Sequence, residues 1–130
     1  MTTSSLDSEQ RAGVIRVVSE TAEIDAISLE GEFDMANAPA FDQEVDHALE
    51  GGKELILDLS EATFIDSSVI SVLMLAAKAA GGRGRAIVLQ LGTAAIVERA
   101  LELVEIERVL PRAHNREEAV RIIQKEAEAV

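Results

Sequence analysis

The chain has 130 residues, 48 % of them apolar but only 2 % aromatic, and no cysteine. That length allows one domain to bury about two-thirds of its unfolded surface, in a core of Ala, Val, Ile and Leu. The missing cysteine excludes a disulfide framework and thiolate metal sites.

The formal charge of −12 is lopsided, with 16 acids against 3 bases in residues 1–66 and 8 against 9 in residues 67–130. Such a chain has no electrostatic footprint for nucleic acid, and it would be steered instead towards a basic protein surface. No apolar run approaches the ~18 residues of a membrane span. The first residues also lack the basic and apolar regions of a signal peptide, so the expected location is cytoplasmic, with no membrane partner.

Residues 1–11 are polar and unpatterned, and are expected to be a flexible tail before a domain over residues 12–126. G-V-I-R-V-V at 13–18 predicts a first strand. Residues 24–32 alternate as a second, with a slip near Ile27 that fits a bulge. Asn37 and Pro39 open a helix with Phe41, Val45, Ala48 and Leu49 on one face, stopped by Gly51 and Gly52. E-L-I-L-D-L at 54–59 is a third strand. From Ser68 onward Val69, Ile70, Leu73, Ala76, Ala77 and Ala80 mark the inward face of a second helix, ending at Gly81, Gly82 and Gly84.

A-I-V-L-Q-L at 86–91 reads as a strand buried on both faces. Thr93 is placed to cap a helix over 94–103, and I-E-R-V-L at 106–110 predicts a last strand halted by Pro111. Asn115 and Glu118 form a capping-box-like pair for a final helix. The order β-β-α-β-α-β-α-β-α predicts an α/β fold, a mixed sheet of about five strands with about four helices packed against it.

The chemistry concentrates where the third strand meets the second helix, at T-F-I-D-S-S-V-I-S (residues 63–71). Asp66, Ser67 and Ser68 are residue types that favour the unpaired amides of a helix start. With Ser68 set at zero and 100° per residue, the buried arc centres near Leu73 (~140°). Ser71 (~−60°), Leu75 (~−20°) and Val72 (~40°) then share the outer face with Ser68. A small apolar patch with a hydroxyl at its edge is a docking surface that a phosphate could switch. The helix N-terminus would tolerate that phosphate, so a partner should feel it most.

An enzyme needs a nucleophile with a base, a metal or a cofactor cradle. His47 and His114 have no second ligand at metal spacing, no G-x-S-x-G surrounds a serine, and the glycines at 81–84 follow a helix rather than precede one. Asp58 and Asp66 could form a carboxylate pair but have no partner base. The expectation is a binding protein with no catalytic residue, metal or cofactor.

Three features carry a resemblance to the STAS domain, and more narrowly to the bacterial anti-sigma-factor antagonists. They are the G-E-F-D segment at 31–34, the D-L…F-I-D-S-S signature from Asp58 to Ser68, and the element order. The resemblance implies a regulator that binds an anti-sigma factor, often a serine kinase of the histidine-kinase-like ATPase fold, and so frees a sigma factor. Phosphorylation in the signature ends the interaction, and a cognate phosphatase restores it. By position the phosphoacceptor would be Ser68. Asp66 would hold the loop, and Asp34, Ser67, Ser71, Val72 and Leu75 would join Ser68 in meeting the partner. The family usually has Gly after the phosphoacceptor, where this chain has Val69, which stiffens the helix start. An alternative is therefore a phosphorylation-independent STAS interaction module, as scaffold, ligand-binding or transport accessory.

Overall fold

The computed structural model describes residues 13–128, so the expected tail at 1–11 lies outside the described residues. The elements are β1 (Val14–Ser19), β2 (Ile24–Phe33), α1 (Ala38–Glu50), β3 (Glu54–Ile65) and α2 (Ser67–Gly82). They continue with β4 (Ile87–Gln90), α3 (Ala95–Leu103), a 3-10 turn (Ile106–Arg108), β5 (Arg112–Ala113) and α4 (Arg116–Glu128). The sheet runs in the order β1-β2-β3-β4-β5. β1 is antiparallel to β2, and every later pair is parallel. This is the mixed α/β sheet that the element order predicts.

Alternation along the strands sorts the core into two layers. Ile24, Ala26, Ile56 and Val88 face α4, where they pack with Ala113, Ala119 and Ile123. Ile27, Leu29, Leu55, Leu57 and Leu89 face the other way and pack beneath α1, α2 and α3. The apparent slip at Ile27 is therefore no bulge between β1 and β2, whose register is unbroken from Val14↔Glu30 to Ser19↔Asp25. Both faces of β2 are covered, so its apolar residues do not alternate cleanly.

The irregularities lie in β3, at two places. It uses three steps, Asp58 to Glu61, where β2 uses two, Ser28 to Glu30, and two steps, Ala62 to Phe64, where β2 uses one, Gly31 to Glu32. The Asp58 carboxylate accepts the Ser60 amide at 2.8 Å and so secures the first extra residue. Gly92 runs against this bulge: a Cβ there would lie 2.5 Å from the Ser60 carbonyl oxygen. Only glycine allows that approach.

Two expectations fail locally. The segment at 106–110 is no strand: Glu105 takes a left-handed φ of 53° and Ile106–Arg108 forms a 3-10 turn. Ile106 and Leu110, four apart, are both buried, which is a helical spacing. The last strand follows Pro111 instead, whose carbonyl accepts the Leu89 amide at 2.9 Å. Proline is tolerated at such a strand start because its carbonyl can still pair. Thr93 does not cap α3, whose N-cap is Ala94 without a side-chain bond. At α4 the expected pair does form: Asn115 Oδ1 accepts the Glu118 amide at 2.7 Å, and Glu118 reaches back to the His114 amide at 2.8 Å.

Candidate functional site: the Asp66–Ser68 junction

β2 and β3 end side by side, paired Phe33↔Ile65. That register brings the loop after Phe33 alongside the loop after Ile65, so the G-E-F-D and D-S-S segments become neighbours. Asp66 is the N-cap of α2 with extended backbone, φ −116° and ψ −172°. Its Oδ1 accepts the Ser68 amide at 2.9 Å and the Val69 amide at 3.4 Å, and it also accepts the Ser68 hydroxyl. These bonds favour the charged carboxylate and hold its pKa below the ordinary 3.8, the Ser68 hydroxyl contributing most. Partial burial opposes the shift, while the Met35 backbone amide adds to it and links the neighbouring loop to this carboxylate.

Asp34 structures that loop, its Oδ1 accepting the Ala36 amide at 2.9 Å. Asn37 accepts the Asp34 amide at 2.8 Å and donates to the Glu32 carbonyl at 3.0 Å. Ser67 and Ser71 are exposed, Ser68 is half-buried, and Leu75 is 61 % exposed. Between α1 and α2 runs a groove lined by Val45, Leu75 and Ala79, with Asp42, Asp46 and Lys78 at its edges.

Residues 17–111 match the family model described as "Mlab, STAS domain". The chain belongs to the STAS-domain family. An anti-sigma factor antagonist from Mycobacterium paratuberculosis superposes with a TM-score of 0.77 at 21 % identity, covering 88 % of this chain and 96 % of that one. SpoIIAA in its unphosphorylated form gives 0.74 at 18 % identity, over 86 % and 97 %. A putative anti-sigma factor antagonist from Thermotoga maritima gives 0.70 at 22 % identity, over 86 % and 94 %. At such identities the likeness is one of fold. No curated protein matches.

Within this STAS domain, six of the seven residues expected at the partner surface lie at the junction or on the outer face of α2. Val72 does not: it is buried, 7 % exposed, beside Val69, Leu73, Ala76 and Ala80. Those five centre the buried arc near ~95° from Ser68 rather than ~140°, which carries Val72 inside. The arc lies nearer Ser68 than the sequence pattern predicts because Ile70 and Ala77 are only half-buried. Val69 is fully buried, so the residue after the expected phosphoacceptor is a core side chain of the first helical turn.

Asp58 and Asp66 form no pair. Asp66 caps α2, whereas Asp58 points to the α4 side of the sheet, where Arg116 Nη2 donates to it at 2.6 Å. Arg116 also donates to Gln90 at 2.8 Å and to Glu20 at 3.0 Å, while Ser28 donates to Asp58 at 3.4 Å. This network pins the first residue of α4 to three strands and to the turn after β1. His47 is exposed on α1, and His114 meets Glu118 at 3.3 Å.

Sequence reasoning missed Met35, which is 76 % exposed at the junction. It also missed Met74 and Lys78 on the outward side of α2. An apolar residue directly after the G-E-F-D segment was the available signal for Met35.

Proposed function

We propose that this STAS protein is an anti-sigma-factor antagonist. It binds an anti-sigma factor, a serine kinase of the histidine-kinase-like ATPase fold, through the Asp34 loop and the outer face of α2. It is switched by phosphorylation of Ser68 and reset by a phosphatase. The observation that carries this reading is the Ser68 hydroxyl donating to Asp66 at the mouth of α2. A phosphoryl group there replaces a donor by a dianion against a carboxylate held ionised. The hydrogen bond is lost, the two anions repel, and the surface formed by Asp34, Ser67, Ser71 and Leu75 acquires a charge that a docked partner must desolvate. The fold shared with two anti-sigma factor antagonists and SpoIIAA supports the choice of partner class. The acidic first half of the chain suits a basic partner surface. The activity is binding alone, without cofactor or metal, in the cytoplasm.

A second reading keeps the docking surface and drops the switch. The buried Val69 favours it, because a β-branched core residue in the first turn resists the backbone movement that would present Ser68 to a kinase active site. Titration of the kinase partner with wild type, Ser68→Ala and Ser68→Asp separates the two. The switch reading predicts that Ser68→Ala binds like wild type and that Ser68→Asp binds about tenfold or more weakly, roughly 1.4 kcal/mol. Equal binding by all three leaves only the second reading.

A further inference from the structure

β1 closes one end of the sheet, and no described residue pairs with its outer edge. Natural edges are ordinarily blunted by proline, a bulge or a free charge. β1 has no proline and an unbroken register to β2 over all six residues. Val14, Val17 and Val18 are 44 %, 47 % and 46 % exposed. Its one charge is answered within the chain, Arg16 Nε donating to Glu30 at 2.6 Å. The strand's composition selects the occupant: V-I-R-V-V is an apolar palindrome centred on Arg16.

We propose that a second copy of this chain pairs antiparallel with β1 about a twofold axis at Arg16, joining two sheets into one of ten strands. A twofold pair keeps each residue facing the same side as its opposite number. Val14 then lies across from the partner's Val18, and Ile15 across from the partner's Val17, each apolar on apolar. The two Arg16 side chains meet near the axis, each beside its own Glu30, so the charges alternate. Net repulsion between copies of −12 is screened beyond ~10 Å at 0.1 M salt. With the axis normal to the sheet, both α2 helices lie on one side, and a dimer presents two Asp66–Ser68 junctions in the same direction. This inference rests on the strand edge and is independent of the proposed switch.

The chain has no cysteine, which makes a cross-link test unambiguous. Opposed Cα atoms in an antiparallel pair lie about 4.5–5.5 Å apart, within disulfide reach. Arg16→Cys in the full chain should therefore form a disulfide dimer on mild oxidation. Val14→Cys should not, because its two copies would sit four residues apart along the strand, about 13 Å. Sedimentation velocity should give a dimer mass for wild type at high micromolar concentration and a monomer mass for Val17→Lys. A monomeric wild type, a dimeric Val17→Lys, or cross-linking of Val14→Cys as fast as Arg16→Cys would overturn the proposal.

Discussion

The Ser68 hydroxyl and the Ser68 amide both donate to the same oxygen of Asp66. One side chain thus caps α2, orients the proposed phosphoacceptor and keeps its own charge. The capping chemistry and the proposed switching chemistry are therefore inseparable at this carboxylate.

Asp66→Ala should cost about 0.5–2 kcal/mol, the usual range for losing an acidic N-cap. Asp66→Asn, which still offers an acceptor oxygen, should cost less. The pH dependence follows from the lowered pKa. A depressed carboxylate contributes stability that is fully present above its unfolded pKa, near 3.8, and is lost as pH falls through the lower folded value. Denaturant titrations of wild type should show this loss on the acid side, and Asp66→Asn should show less of it. An unchanged acid limb in Asp66→Asn would mean that Asp66 is not held ionised by the fold.

The D-S-S junction was legible because two local signals coincide there, a change of hydrophobic period and three residues that seek free amides. Local reasoning fails where the determinant is distant. Arg116 and Asp58 are separated by 58 positions, and no periodicity links them. The strand expected at 106–110 failed for a related reason. A short apolar run is compatible with either element, and the pairing of Leu89 with the Pro111 carbonyl decides where β5 begins. Val72 shows the same limit: three helices share one core, and packing rotates α2 further than its own pattern predicts.

Arg116 should be the most sensitive polar position outside the site. Arg116→Met leaves Asp58, 6 % exposed, as a buried carboxylate without its cation. Removing one partner of such a pair costs about 3–5 kcal/mol, and the partial exposure of Arg116 places this case near the lower end. Arg116→Met combined with Asp58→Leu should recover part of the loss, because no charge is then stranded. Chemical denaturation of the two single variants and the double variant measures the coupling. Additive costs would show that the pair does not act as a unit.

Val69→Gly should weaken the fold and strengthen the switch. The variant loses a fully buried side chain, worth about 1.5–3 kcal/mol, and adds the smaller difference in helix propensity between glycine and valine, about 0.5 kcal/mol. If Val69 restrains the backbone at Ser68, the variant should also be phosphorylated faster than wild type by the same kinase. A destabilised variant with an unchanged phosphorylation rate would remove Val69 from any account of the switch.

Gly92→Ala tests the first bulge in β3. A Cβ 2.5 Å from the Ser60 oxygen and 2.9 Å from the Ser60 Cα meets backbone on both counts. The backbone must move, at about 1–3 kcal/mol for such overpacking. Gly82→Ala, where nothing lies within 4 Å of the added carbon, is the control and should be neutral or mildly stabilising. Equal melting temperatures for the two variants would contradict the close approach.

The most direct test of the antagonist reading is the intact mass of the protein recovered from its native lysate, with the modified residue mapped and the co-purifying protein identified. The account predicts two populations: an unmodified form bound to a kinase-like anti-sigma factor, and a free form carrying one phosphate on Ser68. A phosphate on Ser68 within the stable complex, or a stable complex with an unrelated protein and no phosphate on either serine, would contradict it.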